Sequence, residues 1–249
     1  MRVGPDDEWR RAQRAPLESH AVHVWRVSLA ADDARVRASW SLLSAAEQAR
    51  ASRLVRELHR RRFVVAHGAL RTIVSGYVDE PPEALEFESA EHGKPSLRRG
   101  GGVPAIEFNL SHSDEFALVA VTRARPVGVD LERWSSDVEH LELAERFFSP
   151  GERAALRALA RAPEQLQAGF FAAWTRKEAY LKATGHGISR GLQHFDVALA
   201  PDEPARLLAD RLDADATERW SMAALDPAPG YSAALVVRGP LGEVLRLAL

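Results

Sequence analysis

The period of the hydrophobic pattern changes several times along the chain, and each change predicts an element. Residues 22–29 (VHVWRVSL) alternate, with Val22 and Val24 on one face, as a strand does. Farther on, Ser44-Ala-Ala-Glu47 has capping-box spacing, so a helix is expected to open there. Behind Arg60, Arg61 and Arg62, the apolar Phe63, Val64, Leu70, Ile73 and Val74 predict a second helix. Short strands are expected at 106–108 and 116–122.

A shift of 105 positions repeats this order. Residues 127–131 read as a strand, and Ser149-Pro-Gly-Glu152 is a second capping box with Pro150 at the favoured first helical position. A helix over 165–184 and strands at 196–199, 220–225 and 231–237 follow. Strand, capped helix, long helix and hairpin in the same order twice predict an α+β protein made by pseudo-twofold duplication of two similar halves. The halves are read as 20–125 and 126–249, meeting at Arg125-Pro126. Residues 1–19 show neither period and are expected to form a mobile tail. Gly100-Gly101-Gly102 reads as a loop tip.

Composition narrows the chemistry. The chain has 249 residues, 46% of them hydrophobic, which is ample for a packed core. A net charge of -2 argues against a general nucleic-acid binder. With no cysteine, disulfides, thiolate metal sites and a cysteine nucleophile are all excluded. The N-terminus is too polar for a signal peptide, and no apolar run is long enough to span a bilayer, so a cytoplasmic protein is expected.

Five clusters could carry chemistry. Asp130 and Glu132 share one face of the predicted strand, where a hard cation such as magnesium would relieve their repulsion. Alone, the pair reads better as a solvated, charged strand end. Trp174, Glu178 and Lys182 share one helical face at spacings of four, as would an ordinary surface pair beside a core tryptophan. Phe108-Asn-Leu-Ser111-His112-Ser113, expected in a loop between strands, offers a histidine that could donate to a phosphate. Glu91-His92-Gly93-Lys94-Pro95 is a punctuated loop with one lysine. Arg50, Arg53, Arg56, Arg60, Arg61 and Arg62 suggest an anion site within a largely solvated face. Phosphate-loop, dinucleotide, H-E-x-x-H and G-x-S-x-G patterns are absent.

The order of these blocks, G-K-P, F-N-L-S-H-S, G-V-D-L-E, F-F-S-P-G-E and W-x-x-K-E-A-x-x-K, resembles the surfactin-synthetase-activating class of 4'-phosphopantetheinyl transferases over residues 44–188. The resemblance implies a monomer of two α+β halves with coenzyme A in the cleft between them. It implies magnesium held by Asp130, Glu132 and Glu178, and pyrophosphate contacts from His112 and Lys182, with Ser111 and Lys177 beside them. Catalysis would rest on Glu178, Lys182 and His112. Gly93, Lys94 and Pro95 would cradle the adenine, and Arg62 and Arg50 would hold the 3'-phosphate. The partners implied are apo carrier proteins bearing acyl, peptidyl or aryl groups, without nucleic acid or membrane. Two positions depart from the pattern: His92 replaces an aromatic before Gly93, and Glu47 stands where some relatives carry a base. A non-catalytic coenzyme A-binding module is the alternative reading.

Overall fold

The computed structural model describes residues 9–11, 16–89, 95–98, 105–187, 190–200 and 203–249. The first half opens with β1 (Arg10–Arg11) and β2 (Val22–Ser28), then α1 (Asp33–Leu42), α2 (Ala45–Ser52) and the long α3 (Glu57–Val78). The small hairpin β3 (Phe87–Ser89) and β4 (Pro95–Leu97) precedes the larger hairpin β5 (Ile106–Ser113) and β6 (Phe116–Arg123). The second half runs β7 (Val127–Arg133), α4 (His140–Phe147), α5 (Pro150–Ala158) and the long α6 (Pro163–Thr184). After it come β8 (Phe195–Val197), β9 (Leu207–Asp210), α7 (Ala216–Arg219), β10 (Trp220–Leu225), β11 (Tyr231–Arg238) and β12 (Val244–Ala248).

Both expected capping boxes form, with Ser44 and Glu47 opening α2 and Ser149 and Glu152 opening α5. The two long helices each have 22 residues and end in a left-handed residue, Asp79 in one and Gly185 in the other. Each covers one sheet. α3 buries Leu70, Ile73 and Val74 against Val27, Phe108 and Val119, while α6 buries Phe170, Tyr180 and Leu181 with Phe195 and Val236. A third apolar cluster joins the sheets, with Val22, Val24 and Leu118 meeting Val129, Leu131 and Leu235. Alternation on β2 and β7 thus serves two layers: one face packs on its own helix, the other on the opposite half.

The larger sheet has the order β1-β12-β2-β6-β5 and the smaller β10-β11-β7. The C-terminal strand β12 therefore crosses from the stretch read as the second half and pairs parallel with β2 of the first. The expected mobile tail is corrected in its described part. Leu17 is buried, Trp9 packs on the inter-sheet cluster, and β1 pairs with β12. Those residues are apolar or hydrogen-bonded into the sheet edge, although their pattern is too short to show a period.

The F-N-L-S-H-S block is also corrected, because it is strand rather than loop. β5 continues through Ser113 in antiparallel register with β6, with His112 opposite Ala117. Gly128 sets the remaining geometry. A Cβ there would collide with the Ala179 carbonyl and the Ala183 amide, so its absence lets α6 lie directly on β7.

Candidate active site at the seam between the halves

The carboxylates of β7 face α6. Asp130 is 3% exposed, and its Oδ1 accepts from Lys182 Nζ at 2.5 Å and from Ser111 Oγ at 2.9 Å. Lys182 Nζ also donates to Ser111 Oγ at 3.0 Å. Strand alternation, the helical i,i+4 spacing and the bare backbone at Gly128 together bring Asp130, Glu178 and Lys182 to one place.

Glu132 accepts from Ser113 Oγ at 2.9 Å. Burial, then the charge of Asp130, pushes its carboxyl up to about 7 against the opposing pull of Ser113 and Lys182. Glu178 is likewise raised, first by burial and then by Asp130, with Lys182 opposing. Three acidic groups thus share a poorly hydrated space with one lysine.

Cations gather on the α3 side. His112 is exposed at one edge but crowded by cations; desolvation, then His67, Lys182, Arg50 and Arg62, lower its pKa. The Arg50 guanidinium lies 5.4 Å over Phe63, whose ring stacks on His67 at 3.9 Å. Arg62 pairs with Asp114 at 2.6 Å, and Asp114 also holds Arg133 at 2.7 Å. Glu47 is turned away from solvent toward His67 and Arg71. Burial would raise it, but bonds from His67, the Ser44 amide and Arg71 hold it down to about 2. It is an anchor with a hidden charge.

Lys177, by contrast, lies outside this site. It projects from the buried face of α6, paired with Glu152 at 2.8 Å and donating to the carbonyls of Leu192 at 2.8 Å and Phe195 at 2.5 Å. One residue is 100° around a helix, so Lys177 cannot share a face with Glu178. Pro95 begins β4 beside a 330 Å³ hollow lined also by Leu97, Ile106 and Phe108. Gly93 and Lys94, with His92 and the glycines at 100–102, lie outside the described residues.

Sequence reasoning passed over Asn109, Ser113, Asp114 and His67. The signal for the first two was present in the alternation of N-L-S-H-S, in which Asn109, Ser111 and Ser113 share a face. Asn109 Oδ1 accepts from the Val129 amide at 2.9 Å, and Ser113 Oγ accepts from the Arg133 amide at 3.1 Å. β5 and β7 are edges of different sheets, joined here by side chains in place of a backbone ladder.

Among the described residues no three carboxylate or histidine groups stand close enough to hold a cation as they are placed. The donor set nonetheless fits a hard divalent cation. Asp130 Oδ2 is buried without a partner, and burial with the charge of Asp130 raises both Glu132 and Glu178, an effect that a cation held among the three acids would oppose. Lys182 occupies the remaining oxygen of Asp130. A 280 Å³ hollow lined by Arg133, Val138, Leu143, Phe170, Phe171 and Trp174 opens beside Glu132. A larger cavity of 630 Å³ lies against α3 and is lined by Trp25, Thr72, Gly76 and Tyr77 in place of acids.

Comparison with known proteins identifies the family. The family model described as 4'-phosphopantetheinyl transferase superfamily matches residues 126–236, and the one described as 4'-phosphopantetheinyl transferase, N-terminal, matches residues 29–124. The 4'-phosphopantetheinyl transferase HetI of Nostoc sp. is 42% identical over 225 residues, 90% of each chain. The 4'-phosphopantetheinyl transferase psf-1 of Bacillus pumilus is 38% identical over 183 residues, 72% of each. The 4'-phosphopantetheinyl transferase Sfp of Bacillus subtilis is 28% identical over 162 residues, 65% of this chain and 69% of its own. With its duplicated α+β fold, its acidic seam and these relatives, the chain belongs to the 4'-phosphopantetheinyl transferase superfamily and is an enzyme of that family.

Proposed function

We propose that the seam transfers the 4'-phosphopantetheine of coenzyme A to a serine of an apo acyl, peptidyl or aryl carrier protein, releasing 3',5'-ADP, with magnesium bound. The observation that carries this reading is the buried Asp130, with one oxygen on Lys182 and Ser111 and the other unpartnered, beside Glu132 and Glu178 in the same crowded space. A protein that only bound a nucleotide would gain nothing from holding three acids in such a space.

Asp130, Glu132 and Glu178 are the residues that would hold magnesium. The ion would neutralise pyrophosphate charge and polarise the phosphorus to be attacked. Positioning and charge neutralisation supply most of the catalysis in phosphoryl transfer. Lys182 and His112, on opposite walls of the seam, are placed to take charge from the pyrophosphate oxygens. Arg62 and Arg50 would hold the 3'-phosphate end, with Arg62 exchanging Asp114 for the ligand. Gly93, Lys94 and Pro95 would border the adenine, Pro95 being at the hollow against β5. Glu178 is the proton acceptor for the serine hydroxyl, directly or through water. The apolar hollow beside Glu132 suits the pantetheine arm or the carrier surface.

Near-zero net charge supports a protein that works without nucleic acid. No helix among the described residues is long and apolar enough to cross a membrane. We take the protein as a cytoplasmic monomer on this reading. The test is intact-protein mass spectrometry of an apo carrier protein mixed with the enzyme, coenzyme A and magnesium. A gain of one phosphopantetheine mass, abolished by EDTA, is expected; no gain with several carrier classes while coenzyme A still binds would refute transfer.

A further inference from the structure

Ser113 has no role in the proposed reaction, yet its hydroxyl both accepts and donates a hydrogen bond. The Arg133 amide donates to Ser113 Oγ at 3.1 Å, and the oxygen lies 2.9 Å from Glu132 Oε2. A hydroxyl has one proton. The amide uses one of its lone pairs, so the proton is left to point at the carboxylate. Ser111 is used in the same way two residues earlier. It accepts from Lys182 Nζ at 3.0 Å and directs its proton to Asp130 Oδ1 at 2.9 Å.

The two serines differ in their donors. The donor to Ser111 is a lysine side chain that can swing away to a ligand, which would free the hydroxyl to turn. The donor to Ser113 is a backbone amide of β7 itself, fixed by the antiparallel pairing of Arg133 with Tyr231. Ser113 is therefore a clamp from the first half, with one bond to the strand and one to the side chain that the strand presents. It fixes both the rotamer of Glu132 and the oxygen that Glu132 leaves free.

We propose that Ser113 is a positioning residue for the cation site: by occupying Glu132 Oε2 it orients Oε1 toward Asp130 and Glu178 and sets the affinity for the divalent ion. The proposal rests on the transferase reading and its metal assignment. Outer partners of metal ligands commonly contribute about 10- to 100-fold in metal affinity. Ser113→Ala leaves the carboxylate free to rotate, and Ser113→Thr keeps the hydroxyl on a residue that suits a strand.

The experiment is a titration of the enzyme with Mn2+ in the presence of coenzyme A and no carrier protein, free ion being counted by electron paramagnetic resonance. Thermal unfolding of each variant is followed in parallel. Ser113→Ala is expected to weaken Mn2+ binding by about tenfold and to raise the magnesium needed for half-maximal transfer. Its KM for coenzyme A at saturating metal should be unchanged, and Ser113→Thr should restore binding. Unchanged Mn2+ affinity in a folded Ser113→Ala overturns the proposal, as does a Ser113→Thr that is folded and no better than alanine. A parent enzyme that transfers phosphopantetheine without binding Mn2+ overturns it together with the metal assignment. A parent that gives no mass gain on any carrier refutes the transferase reading itself.

Discussion

The two halves of this protein share an anchor and differ at the surface that the anchor supports. β2 and β7 have seven residues each and α3 and α6 have 22, displaced by 105 and 106 positions. In the first half the capping glutamate Glu47 bonds Arg71, which reaches on to the carbonyls of Pro82 and Leu85. In the second, Glu152 bonds Lys177, which reaches the carbonyls of Leu192 and Phe195. Each cation ties a helix start to the chain that leaves the long helix. On the neighbouring helix face the equivalence ends. Asp130, Glu178 and Lys182 correspond to Trp25, Thr72 and Gly76, and Trp25 is spent on a hydrogen bond to Tyr77. A fold made twice needs its anchor twice, whereas one cleft is enough for the chemistry.

The sharpest way to break this comparison is to remove the second anchor. Lys177→Ala leaves Glu152 3% exposed without its cation and strips two buried carbonyls of their donor. Breaking a buried pair in this way costs about 3–5 kcal/mol. Denaturant unfolding should show that loss, while the fraction that remains folded binds coenzyme A as the parent does. A variant of normal stability with weakened coenzyme A binding would return Lys177 to the site.

That assignment also shows what the sequence made legible. The capping boxes announced both anchors, because their signal is local. The shared face of Asp130 and Glu132 and the stripe of Glu178 and Lys182 could be read from strand and helix periods alone. Lys177 was misread because it adjoins Glu178 in the chain, although neighbours on a helix diverge by 100°. β5 was cut short at Phe108 since Asn109, Ser111 and Ser113 look like loop chemistry; their partners are on β7, a long-range fact. The placement of β12 beside β2, and the binding of Leu17 and Trp9 to the body, depend on which edge was left unpaired. No local pattern carries that information.

At the working surface, Lys182→Ala removes the cation paired with Asp130. By analogy with single oxyanion donors, kcat should fall by about 10²- to 10³-fold. The counterpart, Gly76→Ala, places a methyl in open space and should leave transfer untouched. Parallel assays of the two variants on one carrier protein check the asymmetry. If Gly76→Ala were equally damaging, the cleft of the first half would have to take part in the reaction.

The smallest effect concerns the first anchor under acid. Glu47 titrates at about 2, below its ordinary 4.5, since the bonds from His67, Ser44 and Arg71 outweigh its burial. The folded chain therefore binds this proton less readily than the unfolded chain. The resulting stability is complete above about pH 4.5 and disappears as pH falls through 2, amounting to roughly 3 kcal/mol at most. Glu47→Gln should lower the unfolding midpoint at pH 7 and leave the parent and variant converging as pH falls from 4.5 toward 2. The convergence reports the charge of the Glu47 carboxylate. A gap that persisted unchanged in acid would mean that Glu47 contributes through its place in the capping box and its packing, without its charge, and the resemblance between the two anchors would then be one of shape alone.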